Sequence, residues 1–212
     1  MDNAEFAKRL ASSLAHKRGI VIFVHGFNNS FADAVTRALA SAACMAPSDV
    51  GVVAADLNSK AAFVPVVFSW PSRESVSHYF SDESVVDIST ALFEDFLCLV
   101  TQVAELVGKP VNVLAHSMGS RIVLEGVYQV VVKGLPAPKS VVFAAPDVDR
   151  ATFEFKTKKM CAASSSPPLL LLLASGRDVA LNLSGFRLRD ACRAGFVDET
   201  FGCAAGLTLA YA

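Results

Sequence analysis

Val111-Asn112-Val113-Leu114-Ala115-His116-Ser117-Met118-Gly119 is the stretch that decides the fold. An apolar run of strand length enters a small-X-Ser-X-Gly turn, and a helical pattern opens at Gly119. A strand-to-helix corner this sharp leaves no room for bulk two residues before or after the serine, and Ala115 and Gly119 meet that demand. The pentapeptide alone is a weak signal; the strand before it and the helix after it make it read as a nucleophile elbow, with the Ser117 hydroxyl presented at the corner.

Four more apolar runs resemble the one that leads into the elbow: Ile20 to Val24, Val64 to Phe68, Val141 to Ala145 and Leu169 to Ala174. Continuous apolar runs of five or six residues are expected of strands buried on both faces. Helical patterns separate the first four runs. The clearest places Val85, Ile88, Leu92, Phe96, Leu99, Val103 and Leu106 on one face, with Gly108 as the stop and Pro110 beyond. Ser30 and Asp33 are spaced to cap a helix reaching about Met45, and a helix from Gly119 runs to about Lys133 before Gly134, Pro136 and Pro138 break it. The expected fold class is α/β: a three-layer sandwich with a mostly parallel sheet and helices on both faces. The turns at Gly26 and Ser117 then share the carboxyl edge of the sheet, where open α/β sheets place their ligands.

Composition narrows the function classes. The 212 residues are 53% apolar, enough for a single domain over 1–212 with a sizeable core. Nineteen basic against twenty acidic residues leave a net charge of −1, so nothing in the overall charge attracts nucleic acid or an anionic membrane. Lys156, Lys158 and Lys159 form the only local basic cluster and are read as a solvated loop. The amino-terminal residues have the helical spacing of an exposed helix and lack a signal-peptide core. No apolar run is long enough for a transmembrane segment. Five dispersed cysteines without metal-ligand spacing point to reduced thiols in a cytoplasmic setting, and no metal is expected. No strand is followed by Gly-X-Gly-X-X-Gly or a phosphate-cradling lysine loop, which disfavours a nucleotide binder.

Serine catalysis needs a nucleophile, a base, an acid to orient the base, and donors for the oxyanion. Ser117 supplies the first. The backbone N–H groups of Met118 and of Phe27, in the His25-Gly26-Phe27 turn, would supply the donors, with Gly26 allowing close approach of the backbone to a substrate. Asp178, after the fifth run in Ala174-Ser175-Gly176-Arg177-Asp178, is the favoured acid; Asp147, in Ala145-Pro146-Asp147-Val148-Asp149, is its rival. His25, Gly26, His116 and Trp70 are candidate substrate-binding residues. Each has a plainer reading: His25 as the hydrogen-bonded brace of its turn, Trp70 as core packing or the end of a strand before Pro71. Arg121 reads either as a helix-surface arginine or as the partner of a carboxylate in the site.

The chain resembles the α/β-hydrolase superfamily, in its esterase/lipase-like branch known as a domain of unknown function. The resemblance is carried by Val21 to Phe31, Val67 to Ser72, Ala115 to Arg121, Ala144 to Asp149 and Ser175 to Leu181, spanning about residues 6 to 190. It implies a Ser, Asp, His triad in that order, a parallel-dominated sheet, no cofactor, and a small-molecule acyl substrate such as a carboxylic ester. Residues 72–86 would be a cap insertion and 199–212 a divergent tail, with the family's terminal strand missing or replaced.

Histidine is where the chain departs from the family. The four are His16, His25, His78 and His116, and none follows Asp178, where the family's base lies. His116 is a poor base for Ser117, since adjacent side chains diverge on a tight turn; His78 reads as a surface residue and His16 as part of an exposed helix. Removing a triad histidine costs on the order of a million-fold in rate. Two expectations follow: a serine hydrolase with weak or absent turnover, shortened relative to its family, or a binding module that keeps the cleft without the chemistry.

Overall fold

Strands β1 (Gly19–Val24), β2 (Phe63–Phe68), β3 (Val111–His116), β4 (Ser140–Ala144) and β5 (Leu169–Ala174) coincide with the five apolar runs to within a residue at either end. The computed structural model describes residues 2–44, 62–72, 79–174, 194 and 207–211, with backbone alone for 79–83 and 207–211. The strands join a sixth, β6 (Leu207–Tyr211), in one sheet of order β2-β1-β3-β4-β5-β6. All five pairings are parallel. Every residue of β1, an interior strand flanked by β2 and β3, is buried, which is why Gly-Ile-Val-Ile-Phe-Val needs no polar alternation.

β6 corrects the sequence reading of the tail. Residues 207–211 continue the sheet, with Leu170 beside Leu207 and Ala174 beside Tyr211, so a terminal strand is present. Gly-Leu-Thr-Leu-Ala-Tyr carries little strand signal of its own; five residues beside the fully apolar β5 become a strand because the neighbour supplies the ladder.

The helices are α1 (Asn3–Leu14), α2 (Phe31–Cys44), α3 (Tyr79–Leu106), α4 (Gly119–Val132) and α5 (Arg150–Ala163). α2 packs on one face of the sheet against β1 and β2, where Ala34 and Ala38 meet Phe23, Val67 and Leu114. α1, α3 and α4 cover the other face, with α5 beside α4. There Ile20, Ile22, Val24, Val113, Val141, Phe143, Leu170 and Leu172 join Phe93, Leu97, Ile122 and Val127 in the main core. Each such fully buried large side chain is worth roughly 1.5–3 kcal/mol. Phe143 on β4 meets Phe153 on α5 edge-on, centroids 5.0 Å apart.

Two local expectations change. The buried seam of α3 runs through Val86, Phe93, Leu97, Val100 and Ala104, whereas Ile88, Leu92 and Leu106, on the expected face, are exposed. α3 is apolar on more than one side, so periodicity offers two seams, and tertiary fit selects one: Gly126 on α4 makes room for the Phe93 ring, whose Cδ1 would lie 2.6 Å from a Cβ at that glycine. The lysines at 156, 158 and 159 lie on α5, not in a loop. Asp149 caps that helix by accepting from the Thr152 N–H at 2.9 Å, and Lys158 faces Glu154 one turn away.

At the start of α2, Ser30 Oγ accepts from the Asp33 N–H while the Asp33 carboxylate accepts from the Ser30 N–H and hydroxyl. This reciprocal cap holds the Asp33 carboxyl below its usual pKa, the Ser30 hydroxyl being the largest cause. Residues 79–86 are the first turns of α3, and 73–78 lie outside the described residues. Among the described residues no helix is long and apolar enough to cross a membrane.

Candidate active site

Ser117 sits where β3 turns into α4, with φ of 49°, in the left-handed region that non-glycine residues rarely occupy. Three hydrogen bonds hold it there. Its N–H donates to the Ala144 carbonyl at 3.0 Å, and its carbonyl accepts from the N–H groups of Ser120 at 3.0 Å and Asp147 at 3.1 Å. Such a conformation costs on the order of 1–3 kcal/mol and persists only where its surroundings enforce it. The residue is half-buried, and among the described residues nothing hydrogen-bonds its hydroxyl.

The glycine of the motif has a measurable reason. A Cβ at Gly119 would stand 2.3 Å from the His25 carbonyl oxygen and 2.9 Å from that of Val24, so the end of β1 runs directly against the first turn of α4. That contact brings the His25-Gly26-Phe27 turn to the elbow. A Cβ at Gly26 would lie 2.8 Å from the Ser117 Cβ and 2.9 Å from His116 Nδ1. Beside the serine, Met118 is buried and opens α4; no carbonyl among the described residues takes its N–H. The positive end of the helix dipole therefore points at the Ser117 corner.

His25 is committed to structure. It is 1% exposed and stacks on Trp70 with centroids 5.2 Å apart and planes within 5°. The Trp70 N–H donates to His25 Nε2 at 3.2 Å, Ser69 Oγ lies at the same distance from Nε2, and Nδ1 lies 2.9 Å from the Gly26 carbonyl. These contacts suit a neutral ring protonated on Nδ1, which donates to Gly26. Burial lowers the His25 pKa below the usual 6.5, against the opposing bonds to Gly26 and Trp70. The indole N–H donates in turn to the His25 carbonyl at 2.8 Å. Trp70, 2% exposed, thus braces the turn from behind. Asn29 completes the brace, its amide donating to the carbonyls of Phe27 and Gly26, while the Asn28 N–H donates to Ser72 Oγ.

A third turn, Ala144-Ala145-Pro146-Asp147, closes the edge beyond β4. Ala145 has φ of 46°, and its N–H reaches across to the Leu173 carbonyl. Asp147 is buried, its side chain 3% exposed, and the Arg121 guanidinium meets it twice: Nε donates to the Asp147 carbonyl at 2.7 Å, and Nη2 lies 3.4 Å from the carboxylate.

The structure thus brings Ser117, Met118, Gly26, Phe27, His25 and His116 together at one corner. Asp178 and His78 lie outside the described residues. His16 is exposed beyond the end of α1. Two features escaped the sequence, Ser69 as a partner of His25 and Ala145 as a strained residue, whereas Arg121 takes the second of its two readings by pairing with the Asp147 carboxylate. The only hint of the first was that Ser69 follows a strand at the same sheet edge. Nothing local marked Ala145.

A cleft of about 410 Å³ opens one helical turn away, between α3, α4 and the start of α5; Arg121, Leu124, Val148, Thr90, Asp149 and Lys156 are among its lining residues. Its size falls in the range of small-molecule sites. Ser117 and Gly26 do not line it, so it borders the elbow without containing it. Lys156 is tied to Glu125, which also accepts from Gln129. Among the described residues no cluster of three or more His, Cys, Asp or Glu could hold a metal ion.

A family profile described as an alpha/beta hydrolase of unknown function, DUF900, matches residues 2–203. No curated protein matches the chain. Among solved structures, the iron-lacking apo form of ESTFA is 11% identical with a TM-score of 0.44, over 100% of this chain and 82% of that one. EstE7, an HSL homologue from a metagenome library, is 13% identical with a TM-score of 0.44, over 100% and 87%. MenH from S. aureus is 10% identical with a TM-score of 0.42, over 92% and 85%.

Proposed function

The chain belongs to the α/β-hydrolase family of unknown function DUF900, and within that family we propose that it is a serine hydrolase acting on carboxylic esters or related small acyl compounds. One observation carries the reading: Ser117 is held at φ 49° on the carboxyl edge of the sheet, at the amino end of α4, with the Gly26 turn against its Cβ. In this mechanism Ser117 Oγ attacks the acyl carbon, its proton passes to a base, and the N–H groups of Met118 and Phe27 hold the oxyanion. Each donor would supply on the order of 3 kcal/mol of transition-state stabilisation. Asp178 is the proposed acid. The dispersed cysteines support a reducing, cytoplasmic setting.

The base is not assigned. Both ring nitrogens of His25 are engaged, and His16 is remote. That observation favours a second reading, a module that binds an acyl ligand at the same corner without turning it over.

A fluorophosphonate probe separates the two. Labelling of Ser117 that Ser117→Ala abolishes supports the hydrolase; an inert serine at millimolar probe supports the binding module. Added imidazole refines the first outcome: a rise in p-nitrophenyl ester turnover above the imidazole-only background that Ser117→Ala abolishes indicates a site without a base of its own.

A further inference from the structure

We propose that Arg121 and Asp147 are positioning residues that set the angle of the Ser117 elbow, with Asp147 acting through the backbone and not as the acid of a triad. The proposal rests on the reading of Ser117 as nucleophile. Four bonds form a closed path around the corner. The Ser117 N–H donates to the Ala144 carbonyl, the Asp147 N–H donates back to the Ser117 carbonyl, Arg121 Nε–H donates to the Asp147 carbonyl, and the Arg121 N–H holds Ser117's neighbour through the Met118 carbonyl at 3.1 Å. Arg121 is thereby fixed at both ends, by its backbone to the turn that contains the nucleophile and by its side chain to the turn after β4.

The path spans two left-handed residues, Ser117 and Ala145, neither of which is glycine. Each is strained by itself, and each is enforced by the other's turn. A planar guanidinium is suited to this, since its fork reaches a carbonyl and a carboxylate of the same residue together; an ammonium would reach one. The Asp147 carboxylate, 3% exposed, faces this guanidinium. It contributes the smaller part of the clamp, its Arg121 contact being 3.4 Å against 2.7 Å for the carbonyl.

The test measures the rate of fluorophosphonate labelling of Ser117 in the full chain as a function of pH. Asp147→Asn keeps both main-chain bonds, so the rate is expected to fall less than about tenfold with an unchanged pH profile, whereas substitution of a triad acid costs about 10⁴. Arg121→Met is expected to cost about a hundredfold, the scale of a reacting group displaced by an ångström, and Arg121→Lys does not restore it. The double variant Arg121→Met/Asp147→Asn removes both members of the Arg121–Asp147 ion pair and is expected to be as slow as Arg121→Met alone.

An Asp147→Asn protein that is unlabelled or shows a shifted profile, or an Arg121→Met protein that labels at the wild-type rate, overturns the proposal. If the wild type itself is inert, the hydrolase reading fails and the clamp is read by amide hydrogen exchange. Faster exchange at the Ser117 and Asp147 N–H groups in the double variant then supports it, and unchanged exchange there overturns it.

Discussion

The two edges of the sheet use left-handed backbone in opposite ways. At the amino edge, where α3 and α4 end and β3 and β4 begin, the positive-φ residues are Gly108 and Gly134, at 65° and 67°, with open space where a side chain would be. At the carboxyl edge those among the described residues are Asn28, Ser117 and Ala145, at 57°, 49° and 46°, one after each of β1, β3 and β4. The carboxyl edge has its own glycines, but Gly26 and Gly119 are there for close approach of one backbone to another. Among the described turns, one edge therefore avoids strain and the other stores it. Stored strain requires enforcement, and the enforcing contacts converge on the Ser117 corner.

The largest effect expected from breaking this contrast is at Gly119. Gly119→Ala sets a Cβ 2.3 Å from a backbone oxygen that no rotamer change can move, so a loss of about 3 kcal/mol or more is expected in urea unfolding, up to failure to fold. Gly26→Ala meets the Ser117 Cβ and the His116 ring and should cost less, about 1–3 kcal/mol. If Gly26→Ala proved the costlier of the two, the close approach of β1 to α4 would not be what organises the corner.

Smaller effects distinguish the edges by conformation alone. Gly108→Ala has room for its methyl group but must hold it at φ 65°, so a loss of about 1 kcal/mol is expected. Ala145→Gly, at φ 46°, should gain up to about 1 kcal/mol in the same denaturation series while loosening the Ser117 turn. Equal and opposite signs sharpen the comparison; a loss at both sites breaks it.

The smallest effect is electrostatic. Because burial disfavours the charged form of His25, the unfolded chain takes up its proton first as pH falls. The stability His25 contributes is whole above about pH 6.5, the imidazole's unfolded value, and declines as pH drops from there toward the lower folded value. One proton changes stability by at most about 1.4 kcal/mol per pH unit. Urea midpoints between pH 7 and 5 should therefore fall more steeply for the wild type than for His25→Asn. Parallel curves would show that the ring is not held neutral by the turn.

Some of the site was legible because its constraints are local. The elbow is a steric demand on five consecutive residues, and Ala115, Ser117 and Gly119 display it. The Ser30–Asp33 cap lies within four residues. Trp70 was harder: strand end, core packing and pocket wall all fit the sequence, and only its stack on His25 45 residues earlier selects the bracing role. The seam of α3 misled periodicity because two sides of the helix are apolar and the choice rested with Gly126 on another helix.

What the sequence determined alone is the parallel α/β sheet and the corner at Ser117, since strands buried on both faces must be continuously apolar and a tight turn must be flanked by small residues. The tertiary structure decided that residues 207–211 complete the sheet beside β5, that His25 is held in its turn, and that Arg121 grips Asp147 across 26 positions. Each of these depends on a partner far away in the chain, and no local pattern encodes a contact whose other half is elsewhere.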